Sequence, residues 1–163
     1  MQNKILPLDA LCTEVECLKR QGKRIVATSG CFDILHAGHV TYLEQAKNYG
    51  DILVLMLNSD ASVKKLKGNE RPVVSEKDRA TVIAGLEAVD YVCIFEDETP
   101  CNCYKAFMPD VVVKGGDYKG KHIPEIDILS VYGGIVQYVD FVSGCSTTSI
   151  IEKIKQIVQG NEK

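Results

Sequence analysis

TSGCFDILHAGH, residues 28–39, lies between a short apolar run and a helical pattern, and the rest of the chain is interpreted from it. The run before it, from Arg24 to Thr28, is β-branched and apolar, as a buried parallel strand would be. The apolar residues between Val40 and Tyr49 recur at helical spacing. The stretch is therefore predicted to carry the chain from a strand into a helix.

Two histidines, His36 and His39, lie three residues apart near the start of that predicted helix. Residues at this spacing share one helix face, and a helix N-terminus offers free backbone N–H groups and the positive end of its dipole to an anion. The small residues Ser29 and Gly30 let the backbone approach a ligand. We interpret the stretch as a nucleoside triphosphate site. Two alternatives stay open: structural histidines, and a zinc site with Cys31, although the usual four-ligand spacing is missing.

The composition limits the possible partners. The chain has 163 residues, 45% hydrophobic and 25% charged, which suits one globular domain with its own core. Its formal net charge of -3 gives no basic field for nucleic acid or a membrane surface, so a phosphate site must be built locally. With no visible export signal, the seven cysteines are expected to be reduced. We expect a single cytoplasmic domain over 1–163, with a core at about 23–158 and an N-terminal helix at 1–22.

Strand and helix patterns alternate along the chain. Strands are predicted over 24–28, 51–58, 90–95, 109–113 and 135–141, and helices over 8–18, 40–49, 75–89, 99–108, 119–131 and 150–158. This alternation predicts an α/β fold with a Rossmann-like, doubly wound, five-stranded parallel sheet. Ligands of such sheets bind at the carboxyl edge, near the topological switch point.

Several polar or glycine-rich segments would meet at that edge. Asn58 to Asp60 and Lys114 to Asp117 follow predicted strands, and Ser146 to Thr148 begin the last helical pattern. We expect these segments beside the two histidines. Each also has a plainer explanation: Asp60 as a helix N-cap, Gly-Gly-Asp as a turn, and the hydroxyl residues as a helix cap.

The segment 30–39 resembles the signature of the HxGH nucleotidyltransferase superfamily, in its cytidylyltransferase-like branch. The resemblance runs from about Lys23 to about Lys155 and rests on four motifs in the family's order. Within the branch, the chain is most similar to the heptose 1-phosphate adenylyltransferases, which also occur as the second domain of bifunctional heptose kinase/adenylyltransferases. The segment before Gly144 lacks the Arg-Thr pair of the glycerol-3-phosphate cytidylyltransferases, which favours the heptose enzymes.

The resemblance implies transfer of AMP from ATP to D-glycero-β-D-manno-heptose 1-phosphate, giving ADP-heptose and pyrophosphate for lipopolysaccharide core or related glycan synthesis. It also implies Mg²⁺ bound with ATP, a homodimer, and a separate heptose kinase and phosphatase in the same pathway. No Ser-His-Asp set or reactive-cysteine arrangement is apparent, so we expect direct in-line attack on the α-phosphate.

The resemblance assigns roles to the residues that match the family's motifs. The catalytic residues are His36, His39 and Lys114. The nucleotide-binding residues are Thr28, Ser29, Gly30, Cys31, Phe32, Gly38, Asn58, Asp60, Arg79, Ser146, Thr147 and Thr148. The substrate-binding residues are Asp33, Lys67, Gly115, Gly116 and Asp117. No residue is assigned as a metal ligand.

Other interpretations of these residues and of the activity stay open. The alternative for Arg79 is an exposed charge on a helix. The alternative for the lysines from Lys64 to Lys67 is a run of solvated charges. The alternative activity is that of a cytidylyltransferase acting on glycerol 3-phosphate or another small phosphorylated alcohol. A nucleotide-binding regulator with an inactive site would not need the intact histidine pair. A dinucleotide oxidoreductase is disfavoured because no G-x-G-x-x-G follows the first strand.

Overall fold

Five parallel strands form one sheet in the computed structural model, which describes residues 2–140 and 144–160. The strands are β1 (Ile25–Gly30), β2 (Ile52–Asn58), β3 (Tyr91–Phe95), β4 (Val111–Gly115) and β5 (Ile135–Val139). They lie in the order β3-β2-β1-β4-β5, so β1 is central. Its register beside β2 runs from Ile25 opposite Ile52 to Gly30 opposite Leu57.

Seven α-helices accompany these strands within the described ranges. They are α1 (Leu8–Arg20), α2 (Ala37–Lys47), α3 (Asp60–Lys67), α4 (Glu76–Ala84), α5 (Cys101–Phe107), α6 (Pro124–Ser130) and α7 (Thr147–Gly160). Two 3-10 turns cover Gln2–Lys4 and Gly116–Tyr118. Across these described ranges, no helix is both long and apolar enough to cross a membrane.

Local causes explain where these bounds differ from the sequence-based prediction. Strand β1 extends to Gly30, so Ser29 and Gly30, which lay beyond the predicted strand, belong to the sheet. Helix α4 ends before Gly85, and α6 begins at Pro124, whose fixed φ suits the first turn of a helix. The predicted end of the last strand, Phe141, lies outside the described residues.

The two faces of the sheet carry separate apolar cores. Helices α2 and α4 cover one face, where Leu43 and Ile83 pack in the same cluster as Val26 of β1. Helices α1, α5 and α6 cover the other face, where Leu11 packs in the same cluster as Ile25. Because successive strand residues point to opposite faces, strands covered on both sides are apolar throughout. The predicted doubly wound α/β fold is confirmed.

The sheet order places a crevice between β1 and β4. After β1 the chain enters α2 on one face, and after β4 it reaches α6 on the other. The carboxyl ends of these neighbouring strands, at Gly30 and Gly115, therefore flank the topological switch point, where open α/β sheets bind ligands.

Candidate active site

A cavity of about 780 Å³ opens at the carboxyl ends of β1 to β4. Its size falls within the range of about 300–1,000 Å³ that is usual for small-molecule sites. Most of the residues predicted for the site line it: Ser29, Gly30, Cys31, Phe32, Asp33, His36, Gly38, His39, Asn58, Lys67, Lys114, Gly115, Ser146, Thr147 and Thr148. The structure thus brings segments from distant parts of the chain to one place.

The two histidines stand at the N-terminus of α2 as predicted. His36 is the N-cap residue and His39 lies in the first turn, with their rings stacked at 3.8 Å between centroids. Within the part of the chain that the structure describes, both Nδ1 atoms are buried without a hydrogen-bond partner. Buried polar atoms without a partner are uncommon in folded proteins and mark this pair as unusual.

Burial and mutual proximity keep this pair uncharged. Burial lowers the pKa of His39 to about 4, helped by the neighbouring His36, while the carboxylate of Asp33 acts in the opposite direction. Burial also lowers the pKa of His36 below its ordinary value. Near pH 7 each ring is therefore a neutral imidazole with one N–H donor.

The backbone of the signature loop is strained and is held by Asp33. Phe32 and Ile34 take positive φ values of 45° and 53°, which are unusual for any residue except glycine and costly for a β-branched one. The buried carboxylate of Asp33 accepts hydrogen bonds from Arg71 Nε at 2.6 Å and from two backbone N–H groups of the 73–74 segment. Thr147 Oγ1 donates to the Asp33 carbonyl at 2.6 Å. Asp33 thus ties three segments together around the cavity.

These contacts also keep Asp33 ionised. Burial raises its pKa, but the backbone hydrogen bonds from Val73 and Val74 and the contact with Arg71 outweigh it, so the pKa lies below its usual value. Both carboxylate oxygens are engaged within the protein, although the residue was predicted to bind substrate. The structure supports a role in holding the loop.

Arg79 supports the same loop from behind the cavity. Its guanidinium is buried and donates to the carbonyl of Cys31 at 2.5 Å, to the carbonyl of Val74 at 3.0 Å and to Asp60 Oδ1 at 2.8 Å. It is therefore not the exposed helix charge considered above. The N-cap of α3 is Ser59, whose side chain accepts from the helix, so the N-cap explanation for Asp60 is wrong.

Five residues predicted for the site lie outside the cavity lining: Thr28, Asp60, Arg79, Gly116 and Asp117. The Thr28 hydroxyl is buried beneath the floor, 2.7 Å from the Tyr42 hydroxyl and 3.0 Å from the Val113 carbonyl. The predicted ligand contacts of these five residues stay predictions.

Lys114 takes part in a buried ion pair that the sequence did not indicate. Its Nζ lies 2.5 Å from Glu125 Oε1 and 3.3 Å from Ser29 Oγ, and 5.6 Å from the centre of the Tyr118 ring. Both charged side chains are buried. An acidic residue in the first turn of a helix is ordinary, so nothing in the sequence singled out Glu125.

The start of α7 lines the cavity beside the start of α2, where Cys145 lies close to Gly38. Ser146 Oγ accepts a hydrogen bond from the backbone of Ser149 at 3.0 Å, so it serves as a cap as well as lining the cavity. Thr147 and Thr148 line the cavity at the first two positions of the helix. Two helix N-termini, α2 and α7, thus meet at one cavity and favour an anionic ligand.

The sequence interpretation missed further lining residues: Tyr42, Leu66, Arg71, Phe95, Glu98, Thr99, Pro100, Tyr118, Ile123, Pro124, Glu125 and Cys145. Those from 98 to 100 follow the carboxyl end of β3. The rule that pointed to the ends of β2 and β4 would have found them as well.

The donor set of the cavity limits how a metal ion could bind. Among the described residues, no group of three or more His, Cys, Asp or Glu side chains is placed to hold a metal ion. The zinc site considered for the histidines and Cys31 therefore lacks its ligands there. Mg²⁺ is usually bound through one or two carboxylates together with substrate phosphates. A metal ion in this cavity would therefore take most of its ligands from bound phosphates.

The sequence matches one family model and several known proteins. The cytidylyltransferase-like family model matches residues 27–153. The bifunctional protein HldE of Geobacter metallireducens is 52% identical over 151 residues, which are 93% of this chain and 31% of that protein. The bifunctional protein HldE of Nitratiruptor sp. is 55% identical over 138 residues, or 85% of this chain and 29% of that one. The chain thus spans about a third of the length of these curated relatives.

A solved structure shares the fold. The crystal structure of the lipopolysaccharide core biosynthesis protein from Thermoplasma volcanium superposes with a TM-score of 0.60 and 28% sequence identity. The match covers 74% of this chain and 98% of the Thermoplasma chain.

Proposed function

Because the chain belongs to the cytidylyltransferase-like family, we propose that it is a nucleotidyltransferase that joins AMP from ATP to D-glycero-β-D-manno-heptose 1-phosphate. The products are ADP-heptose and pyrophosphate. The observation that carries the proposal is the stacked pair His36 and His39 at the start of α2, with the first turn of α7 lining the same cavity. The similarity to proteins named HldE, and to one of lipopolysaccharide core biosynthesis, supports heptose as the sugar.

In this proposal the two helix N-termini hold the triphosphate. His36 and His39 donate from their neutral rings to phosphate oxygens, and Thr147 and Thr148 offer hydroxyl and backbone N–H donors. Phosphate binding would raise the pKa of both histidines, because it supplies the negative charge that the cavity lacks beside them. The pair then stabilises the charge that develops on the departing pyrophosphate.

The chemical step needs no covalent enzyme intermediate. An oxygen of the sugar 1-phosphate attacks the α-phosphorus of ATP, the new P–O bond forms, and the bond to the bridging oxygen of pyrophosphate breaks. The electron pair of that bond leaves with pyrophosphate. A phosphate monoester is already anionic, so catalysis consists of positioning and charge neutralisation. Mg²⁺ bound to the phosphates would neutralise part of their charge.

We further propose the domain organisation, location, oligomeric state and partner enzymes of this protein. The chain forms one nucleotidyltransferase domain, acts in the cytoplasm and forms a homodimer. A separate heptose kinase and a phosphatase supply its sugar 1-phosphate. The relatives named above, HldE proteins and a lipopolysaccharide core biosynthesis protein, favour the heptose substrate over the alternative with CTP and glycerol 3-phosphate.

A substrate panel tests this function. Pyrophosphate release is measured with Mg²⁺, with each anomer of the heptose 1-phosphate paired in turn with ATP, CTP and GTP. We expect release with ATP and the β-anomer. Release with CTP alone would contradict the assignment of ATP. No pyrophosphate release with any pair would contradict the assignment of the sugar.

A further inference from the structure

The cavity extends to both sides of the central strand. On one side, after β4, its lining includes Tyr118, Ile123 and Pro124, which are aromatic or apolar. On the other side, after β3, it includes Glu98 and Thr99 of the β3–α5 loop, residues 96–100. The sheet order places these two groups on opposite sides of β1. We refer to the lining on the first side, together with Glu125, as the β4 arm, and to the lining on the second side, together with Lys67 at the end of α3, as the β3 arm.

Hydrogen bonds from α3 and α5 hold Asp97, the residue that precedes Glu98 and Thr99. Ser62 Oγ donates to the carbonyl of Asp97 at 2.9 Å, and Asn58 Nδ2 donates to that serine oxygen at 2.9 Å. Asn102 Nδ2 donates to the Asp97 carboxylate at 3.0 Å. The loop is thus tied both to the end of β2 and to the first turn of α5. A fixed backbone lets the next two side chains, at 98 and 99, be presented at a defined place.

Glu98 adds a negative charge to a cavity that is proposed to bind phosphate groups. Its side chain is exposed at the cavity wall, and among the residues that the structure describes none forms a hydrogen bond or ion pair with it. A carboxylate beside phosphate groups repels them. It contributes to binding only if the ligand brings hydrogen-bond donors, and a sugar brings hydroxyl groups that a carboxylate accepts in strong, charge-assisted bonds.

The rest of the β3 arm suits the same ligand. Lys67 lines the cavity at the end of α3 and gives a cation for the sugar's own phosphate. Thr99 adds a hydroxyl beside Glu98. The β4 arm differs, because its carboxylate, Glu125, already pairs with Lys114. Its exposed Tyr118 ring offers an aromatic face to a nucleotide base.

We propose that Glu98 and Thr99 bind hydroxyl groups of the sugar in the β3 arm and select a polyhydroxylated acceptor over a simple phosphate ester. This inference rests on the proposed function, because it assumes that a sugar phosphate is the acceptor.

The test compares two changes of charge on one loop. Glu98→Ala should raise KM for heptose 1-phosphate about 10- to 100-fold, the usual effect of losing a hydrogen bond to a charged group, with KM for ATP nearly unchanged. Glu96→Ala is the matched control, because Glu96 is exposed on the same loop but does not line the cavity. It should leave both KM values as they are.

A second measurement separates recognition of hydroxyls from a general effect. Inorganic phosphate, used as an inhibitor that competes with the sugar phosphate, should bind Glu98→Ala as tightly as the wild type or more tightly, since a repelling charge is gone. If Glu98→Ala instead raises the Mg²⁺ concentration needed for activity and leaves KM for the sugar unchanged, Glu98 holds the metal and the inference is wrong.

The outcomes also distinguish this inference from the function on which it rests. If the wild type turns over heptose 1-phosphate and Glu98→Ala behaves like Glu96→Ala, the inference is wrong and the proposed function stands. If the wild type fails with heptose 1-phosphate, the proposed function is wrong and the inference falls with it.

Discussion

His36 and His39 are the side chains on which the proposed chemistry depends most. They stack at 3.8 Å between ring centroids, and their Nδ1 atoms are buried without a partner among the described residues. A buried polar atom left in this way costs stability. We therefore interpret the pair as kept for a ligand and not for the fold.

Removing one of these rings should stop the reaction without unfolding the protein. For His39→Ala we expect kcat for pyrophosphate release to fall about 10²- to 10³-fold, the usual loss when one preorganised donor is removed. Far-UV circular dichroism should stay unchanged, because alanine keeps the backbone N–H of residue 39, which donates to the His36 carbonyl at 2.9 Å, and favours the helix.

The third histidine of the chain provides the control. His122 is exposed and lies 3.1 Å from Asp127, outside the cavity lining. His122→Ala should keep wild-type turnover. Near-normal activity of His39→Ala would contradict the role assigned to the pair.

The lowered pKa of His39 makes stability depend on pH. Burial holds its pKa at about 4 in the folded chain, whereas the unfolded chain binds the proton near about 6.5. Between these values the unfolded state holds more protons, so the free energy of unfolding falls as pH falls through that window. Urea unfolding at about pH 7 and about pH 4.5 should show this loss, and His39→Gln should reduce it. Equal pH slopes for both proteins would show that His39 is not the titrating group.

The sequence identified the site residues whose pattern is unusual in any fold. His36, His39 and Gly38 stood out because their pattern has no common structural explanation. Glu98 and Glu125 did not, since exposed and first-turn carboxylates are ordinary. Only the packing of distant segments showed that one faces the cavity and that the other pairs with Lys114.

Among the elements, α2 was predicted as a helix, but its first residue was predicted too late in the sequence. Its pattern indicated a start at Val40, whereas the helix begins at Ala37. The first residues carry no apolar periodicity, and glycine disfavours helix interiors. Tertiary contact explains the glycine at 38: a Cβ there would lie 2.9 Å from Cys145 Cβ and 3.1 Å from the His36 ring. The residue at the second position of α2 is thus constrained by a segment far along the chain, which the sequence pattern does not show.

Gly38→Ala tests that explanation. Helix propensity alone predicts a gain of about 1 kcal/mol for alanine, but the close contacts should reverse the sign and displace His36. We expect a lower Tm and a reduced kcat. Gly160→Ala is the control, because a Cβ at the end of α7 meets nothing within 4 Å. A stabilised and fully active Gly38→Ala variant would contradict the packing argument.

For the molecule as a whole, alternation predicted the layers but not the order of the strands. A repeated strand–helix pattern limits the connections to right-handed crossovers, yet it allows several orders of parallel strands. The order β3-β2-β1-β4-β5 decides which loops share the cavity. It brings the ends of β1 and β4 together and places the β3–α5 loop on the far side of β2. The carboxyl end of β3 could be expected near the cavity, but the side of the cavity that its loop occupies could not be assigned before the order was known.

The N-terminal segment, to which the sequence assigned no chemistry, forms part of this arrangement. Leu11 and Val15 of α1 are buried against the sheet face opposite α2. The backbone N–H of Leu6 donates to the carbonyl of Val92 at 3.0 Å. The helix thus helps to cover β3, at the edge of the sheet.

The central claim is that this cavity catalyses attack at the α-phosphorus of ATP, and isotope transfer tests it most directly. The protein is incubated with Mg²⁺, β-heptose 1-phosphate and ATP labelled with ³²P at either the α or the γ position, and the products are separated. We predict that the α label enters the sugar nucleotide and that the γ label appears only in pyrophosphate. Transfer of the γ label to the sugar, or no transfer of the α label, would contradict the account.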